Sequence, residues 1–185
     1  MKLDEFLPEY NIRSQHFIEV HATPEEVYTA LTAASFSQIP VVCFLMRLRG
    51  FPRERTNIAM RESLRQGGFI ELCDFPSEEI AYGIVGQFWR PSGGRKTISS
   101  PGKFAAFAQP GCAKAAWNFT LSPSSPQITQ LRTETRIRTY GRSAHWKFLI
   151  YWLVVAPFSG LLRRGILRDV KRRAERFHQR AIAPG

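Results

Sequence analysis

The stretch FLIYWLVVAPFSGLL, residues 148–162, is the most apolar part of the chain, and its placement decides the fold. Lys147 precedes it, and Arg163 and Arg164 follow it. As a helix it would rise about 22 Å, which is short of the ~30 Å hydrocarbon core of a bilayer, so a membrane span is not favoured. A helix that is apolar on all sides is usually buried on all sides. We therefore expect residues 148–156 to pack on a sheet, with a membrane-surface helix as the alternative.

Charge is distributed unevenly along the chain. The net charge is +11, of which residues 132–185 contribute +10 and residues 1–131 only +1. Hydrophobic residues make up 44% and charged residues 22% of the composition, which is ordinary for a globular protein and argues against extensive disorder. The basicity therefore belongs to the last strand and the C-terminal helix rather than to the molecule as a whole.

The first half of the chain predicts a strand followed by two helices. HFIEVHA (16–22) alternates between two faces, one of them apolar, as a half-buried strand does. In the following TPEEV (23–27), Thr23 can cap a helix, Pro24 suits its first position, and two glutamates complement the helix dipole. A second, strongly apolar helix is predicted over 37–50. Residues 51–66 are rich in arginine and give no clear pattern.

The second half predicts antiparallel strands and then one long helix. Short Pro, Gly and Ser turns, among them the linker-like SSPG (99–102), separate five predicted strands, which cover residues 69–75, 79–90, 95–99, 113–122 and 128–140. Their close spacing favours hairpins over crossover helices. The pattern is helical from residue 143 to about 181, with a predicted break near Pro157.

The element order and one local motif resemble a known superfamily. The motif is Val20-x-Ala22-x-Pro24-x-x-Val27-Tyr28-x-x-Leu31. It is similar to the first-strand-to-helix signature of the START-like (SRPBCC) helix-grip superfamily, which includes Bet v 1-type and polyketide cyclase/dehydrase-like proteins. The resemblance extends over roughly residues 15–181 and implies one START-like domain over 1–185. The implied fold is α+β: a curved antiparallel sheet wrapped around a long C-terminal helix, with two short helices after the first strand.

The resemblance also implies a cavity between the concave sheet and the C-terminal helix. In the superfamily such cavities often hold a lipid, a polyketide or another apolar molecule, so we expect binding of a small hydrophobic ligand. No cofactor is expected. Aromatic side chains with a few polar tips suit such a cavity. The predicted lining residues are Tyr82, Phe88, Trp117, Phe119, Thr135, Phe148 and Trp152.

A cyclase or aromatase that uses the same cavity is the enzymatic alternative. Its acid–base candidates are Glu71, Glu134 and Tyr82, but no clear acid–base pair stands out, so binding without catalysis is favoured. In RTETRIR (132–138), Glu134 and Arg136 share one face of the strand. That face either lies outside with cross-strand ion pairs, which we favour, or turns into the cavity as a polar anchor. A shift of one residue in register reverses the faces, so the sequence leaves both open.

Metal and nucleotide chemistry have no sequence signal. The four histidines lack metal-ligand spacing, and Cys43, Cys73 and Cys112 form no C-x-x-C pair, so buried reduced thiols are expected. The N-terminus, MKLDEFLPEYNIRS, is acidic and shows no apolar signal region, so a cytoplasmic protein is expected. The sequence does not indicate an oligomeric state.

The basic segment after residue 162 suggests one further partner. One polar face of the predicted helix carries Arg164, Arg168, Lys171, Arg172 and Arg176, beside a narrow apolar stripe of Ile166, Val170 and Phe177. Such charge runs are most often solvated faces. An anionic membrane surface is the alternative we consider. Nucleic acid is not an expected partner, because no recognised nucleic-acid motif accompanies the charge.

Overall fold

The computed structural model describes residues 1–35, 59–90 and 94–182. The elements in chain order are α1 (Leu3–Phe6), β1 (Ile12–Val20), α2 (Pro24–Thr32), α3 (Met60–Gln66), β2 (Ile70–Phe75), β3 (Glu79–Gly86), β4 (Arg95–Lys96), α4 (Pro101–Ala106), β5 (Ala113–Ser125), β6 (Ile128–Thr139) and α5 (Arg142–Ile182). The helix predicted over 37–50 lies outside the described residues.

The described strands form one antiparallel sheet that is closed on one side by the C-terminal helix. The strand order is β1-β6-β5-β3-β2, and β4 pairs with the far end of β3. Helices α2 and α5 and the concave side of the sheet share one hydrophobic core. The predicted α+β helix-grip fold is confirmed.

Helix α2 begins as its sequence predicts. The Thr23 side chain accepts a hydrogen bond from the Glu26 backbone N–H at 3.4 Å, and the Glu26 carboxylate accepts one from the Thr23 N–H at 2.9 Å. This reciprocal capping box satisfies two backbone donors that no helical carbonyl can reach. The helix then buries one apolar face, which consists of Val27, Ala30 and Leu31.

The convex side of the sheet is covered by two short helices that the sequence analysis did not predict. Leu3 and Leu7, at and just after α1, and Phe104 of α4 are almost completely buried against the sheet. A Cβ atom on Gly83 would lie 2.6 Å from the Phe104 ring, so only glycine lets that ring lie on β3. The sequence suggests a linker at residues 99–102, but Ser100 caps α4 and Pro101 occupies its first turn.

Helix α5 runs unbroken through Pro157, so the predicted break is wrong. A proline in a helix removes one backbone hydrogen bond, here the one to the carbonyl of Leu153. Both residues are exposed, so that carbonyl lies on the solvent side of the helix, where water can satisfy it. The 41 residues of α5 extend over about 62 Å.

Residues 148–156 pack on the sheet through Phe148 as expected, but they are not buried on all sides. Phe148 is fully buried and Trp152 partly so, but Leu153 and Val154 are 78% and 66% exposed. A sheet can cover only one side of a helix, and the described residues leave the other side bare. By length and composition, α5 is apolar enough to cross a membrane. Only 11% of its most apolar 18-residue stretch is buried.

Candidate functional site

The concave face beneath α5 presents two rows of side chains that cross four strands. Antiparallel register aligns Tyr82, Trp117, Thr135 and Ser14 in one row. The next row consists of Ile80, Phe119, Thr133 and His16. Because residues two apart on a strand point to the same side, both rows face the helix. We call these two rows the concave site.

Two residues of α5 close over the concave site. A Cβ atom on Gly160 would lie 3.6 Å from His16 Nε2, so the imidazole approaches the helix backbone at a residue without a side chain. One turn further on, the guanidinium carbon of Arg163 lies 5.5 Å from the centre of the Trp117 ring. A guanidinium over an indole face is a favourable cation–π arrangement. The helix therefore brings a positive charge onto the aromatic part of the site.

Arg163 is buried without a carboxylate partner among the described residues. Its side chain is 7% exposed, and it donates to the Ser159 carbonyl at 3.2 Å and to the Ser159 hydroxyl. Burial lowers the pKa of Arg163 to about 10, so the group still carries its charge at neutral pH. An unpaired buried charge is costly, and proteins seldom retain one without a counter-charge.

Three buried polar atoms between the sheet and α5 have no hydrogen-bond partner among the described residues. They are His16 Nε2, Thr135 Oγ1 and Arg163 Nε. Buried polar groups are nearly always hydrogen-bonded, so three unpaired polar atoms on one side of the sheet indicate a binding site for a polar ligand group. Burial lowers the pKa of His16, and the charges of Arg163 and Arg164 lower it further, so this imidazole is neutral at pH 7.

A second polar group lies beside Tyr82 at the β2 side of the concave site. Arg61 donates to Glu71 and to Asp74, each at 2.6 Å, and Tyr28 donates to Asp74 at 2.7 Å. Burial and the hydrogen bond to Asp74 raise the pKa of Tyr28 to about 12. Burial also raises the pKa of Tyr82. Both phenols are therefore protonated at neutral pH and can act as hydrogen-bond donors but not as bases.

Glu134 and Arg136 lie on the convex face, away from the concave site. The Glu134 carboxylate accepts from Arg13 Nε at 2.8 Å, from Arg136 Nε at 2.6 Å and from Gln15. Arg136 also contacts Asp4 at 2.7 Å and donates to the Leu7 carbonyl. The outer-face interpretation of this strand is therefore correct, although Glu134 is fully buried under α1 rather than solvated. This position removes Glu134 from the acid–base candidates.

The predicted lining residues fall into two groups. Tyr82, Trp117 and Phe119 belong to the core beneath α5, and Thr135 lies in the same row as Trp117. The other three, Phe88, Phe148 and Trp152, pack together at the start of α5, with Phe148 at the centre of the cluster. The structure therefore brings together four of the predicted residues around the concave site.

The sequence analysis missed His16 and Arg163, although the signal for both was present. His16 shares its face of the strand with Ile18 and Val20, two and four residues on. Arg163 precedes Ile166 and Val170 by three and seven residues, which is the spacing of one helix face. A polar residue in phase with an apolar stripe is a candidate for a buried polar site.

The basic face predicted for α5 is partly wrong. Lys171 donates to the Glu19 carbonyl of β1 at 2.8 Å and pairs with Glu175, so it points toward the sheet. Ile166 and Val170, predicted as part of an apolar membrane stripe, are buried in the core instead. Exposed arginines remain on α5 at positions 164, 168, 172 and 176.

Neither metal ligands nor a reactive thiol stand out in the described part of the chain. Residues 1–35, 59–90 and 94–182 contain no group of three or more His, Cys, Asp and Glu side chains that could hold a metal ion. Burial raises the pKa of the Cys73 thiol to about 11, and Cys112 is buried and free. Cys43 lies outside the described residues.

Comparison with solved structures identifies the fold. The chain is similar to the di-domain ARO/CYC StfQ from the steffimycin biosynthetic pathway, with a TM-score of 0.51, 13% identity, and coverage of 96% of this chain and 55% of StfQ. The di-domain ARO/CYC BexL from the BE-7585A pathway gives a TM-score of 0.44, 18% identity, and coverage of 89% and 46%. A conserved protein from Geobacillus kaustophilus gives a TM-score of 0.42 and 14% identity, with coverage of 87% of this chain and 96% of that protein.

These likenesses concern architecture only. The chain spans about half the length of the two di-domain proteins. No protein-family model matches the sequence, and no curated protein matches it. With 13% identity, the likeness to StfQ carries the fold and nothing more. Together with the sheet order and the long C-terminal helix, it shows that the chain has the helix-grip fold.

Proposed function

We propose that the protein binds a small hydrophobic molecule that carries an anionic group, between the concave face of the sheet and α5. The observation that supports this most directly is Arg163, a buried cation with no carboxylate partner among the described residues. A bound carboxylate, enolate or phenolate would supply the missing counter-charge. Charge-assisted hydrogen bonds to a guanidinium are strong and often bidentate.

The surroundings of Arg163 indicate what the rest of the ligand is like. Trp117 and Phe119 lie on the floor of the concave site, with ring centres 5.0 Å apart. Tyr82 flanks Trp117 at 6.5 Å. Aromatic floors with few polar groups favour flat or chain-like apolar ligands. Thr135 and His16 add two polar atoms that could hydrogen-bond oxygens elsewhere on such a molecule.

A matched pair of probes tests this proposal. We expect a dansyl-labelled undecanoic acid to bind more tightly than its methyl ester, by roughly 10- to 100-fold, because only the acid can pair with Arg163. In Arg163→Met the acid should lose this advantage, while the ester should bind as it does to the wild type. Fluorescence titration of both probes against both proteins gives the four dissociation constants.

The neighbouring arginine provides the control. Arg164→Met removes the same charge from an exposed position one residue away and should leave the preference for the acid intact. Thermal unfolding separates binding from folding, since replacing an unpaired buried charge by an apolar side chain should preserve or raise stability. Equal affinity of the wild type for acid and ester would contradict an anion site, and no binding of either probe would contradict the proposed function itself.

Catalysis of an aldol-type cyclisation is the second candidate function. The observation that favours it is a neutral imidazole, His16, on the same side of the sheet as Arg163. In the tautomer with its proton on Nδ1, His16 Nε2 could take a proton from a carbon next to a carbonyl, and Arg163 could hold the resulting enolate oxygen. Turnover of a poly-β-ketone thioester that is abolished in His16→Phe, with unchanged binding of the acid probe, would support catalysis.

A further inference from the structure

The outward side of α5 carries an exposed apolar stripe. Its members recur at helical spacing on one face: Trp146, Ile150, Leu153, Val154, Phe158 and Leu161. Their exposed fractions lie between 42% and 78%, and the stripe is about 22 Å long. Contiguous apolar patches of this kind are uncommon on soluble proteins and usually mark an interaction surface. On the opposite side of the same span, Phe148 is buried, and Tyr151 and Trp152 are partly buried against the sheet.

The same face of the helix continues as a row of arginines. Arg164, Arg168, Arg172 and Arg176 follow at intervals of four residues over about 18 Å. Within the described part of the chain, Arg172 forms an ion pair with Asp169 at 3.4 Å, and the other three arginines make no ion pair. The face therefore changes along the helix from apolar to cationic.

We propose that this outer face of α5 lies flat on an anionic lipid bilayer, with the apolar stripe in the headgroup region and the arginines on lipid phosphates. An interfacial helix requires a long apolar face together with cationic side chains, and α5 has both. Trp146 is at the end of the stripe, and tryptophan favours the membrane–water boundary. A membrane-surface helix is the alternative that the sequence leaves open for this apolar stretch, and the outward exposure of Trp146, Ile150 and Leu153 favours it.

A second copy of the chain fits this face less well because of its charge. In a parallel pair the arginine rows would lie against each other. In an antiparallel pair centred on the apolar stripe, Arg164 and Arg168 would approach the partner's own N-terminal end of α5, which carries Arg142 and Lys147. Both arrangements oppose like charges, whereas an anionic surface neutralises them.

A membrane span also fits less well, because the inner face of α5 is anchored at both ends. Phe148 is buried near its start, and Ile166, Leu167 and Val170 are buried toward its end. A spanning helix would have to leave the sheet and break all of these contacts. A helix that lies in the plane of the surface keeps them.

Vesicle flotation tests the proposal. We expect binding to vesicles of 70% phosphatidylcholine and 30% phosphatidylglycerol, little binding to pure phosphatidylcholine, and loss of binding as salt is added. Replacing Arg164, Arg168 and Arg176 together by Gln should weaken binding by roughly 100-fold. Replacing Leu153 and Val154 by Ser should weaken it as well, because that pair is the most exposed part of the stripe. Brominated lipid should quench tryptophan fluorescence in the wild type but much less in Trp146→Phe.

A charge-matched control distinguishes this face from net charge. The triple variant Arg65→Gln, Arg90→Gln and Lys103→Gln removes the same three charges from exposed positions elsewhere and should bind like the wild type. Absence of binding to anionic vesicles, or equal loss in the control, would overturn the proposal. A dimer in solution that Leu153→Ser with Val154→Ser dissolves would assign the face to a second copy instead. Protein that resists alkaline extraction from vesicles would indicate a span.

Discussion

Replacing Glu134 by alanine should lower the free energy of unfolding by about 3–5 kcal/mol, the usual cost of removing one partner from a buried ion pair. Glu134 is fully buried, and Arg136 beside it is 4% exposed. Without the carboxylate, the Arg136 guanidinium would remain in the interior with Asp4, the Leu7 carbonyl and the face of the Tyr10 ring as its described partners. Urea unfolding of the two proteins measures the difference.

An exposed carboxylate on the same face serves as the control. Glu19 lies on β1 and is exposed, so Glu19→Ala should change stability by less than about 0.5 kcal/mol. A loss below about 1 kcal/mol for Glu134→Ala would contradict the role assigned to the network. Arg13→Gln should give an intermediate result, because the Arg13 side chain is 43% exposed and water can replace part of what it donates.

The same network should make stability depend on pH. Burial alone raises the pKa of Glu134, but hydrogen bonds from Arg13, Arg136 and Gln15 outweigh burial and hold the pKa below its ordinary value of 4.5. The stabilisation is therefore complete above the ordinary value and is lost as the pH falls through the lower, folded-state value. The advantage of the wild type over Glu134→Gln should shrink in unfolding experiments as the pH falls below 4.5.

Phe148→Ala should also be strongly destabilising, by about 3–5 kcal/mol, since it removes a large buried ring that the surrounding groups cannot replace. Four aromatic rings lie with their centres 5.7–6.4 Å from the Phe148 ring: Phe88, Trp89, Tyr151 and Trp152. This cluster fixes the first turns of α5 to the sheet. Thermal and urea unfolding should agree on the size of the loss.

The opposite side of the helix provides a matched comparison. Leu153→Ala removes a smaller apolar side chain from a position that is 78% exposed, so stability should change by less than about 0.5 kcal/mol. If both variants were equally destabilising, a partner would have to cover the outer face in the purified protein. If neither variant were destabilising, the start of α5 would not be part of the core.

Local signals in the sequence account for most of the fold. Thr23, Pro24 and Glu26 predicted the start of α2, and the capping box forms as expected. The same signals at Ser100 and Pro101 were overlooked, because four residues with Ser, Pro and Gly also resemble a linker. Local sequence signals specify where a helix begins, but they do not show whether contacts with residues distant in the chain stabilise a short helix.

The candidate site depended on contacts that no local pattern contains. The strand that holds Glu134 is polar on both faces, so its own sequence does not tell which face points to the concave side. The convex face is covered by Leu3 and Leu7, which lie more than a hundred residues away in the chain. The segment around Leu153 is apolar all round, so its pattern could not separate the buried side from the exposed one. Arg163 could have been found, because it is in phase with Ile166.

The strand order has a consequence for synthesis on the ribosome. β1 pairs with β6, so that Ile12 lies opposite Ile137, and β6 emerges only after all the other strands have been made. Contacts between residues so distant in sequence slow folding. The backbone donors of β1 therefore stay unpaired until β6 has been made. α5 follows every strand in the chain, so the aromatic floor stays uncovered until the whole sheet has been made. A chaperone that shields apolar surface during that interval should raise the yield of folded protein.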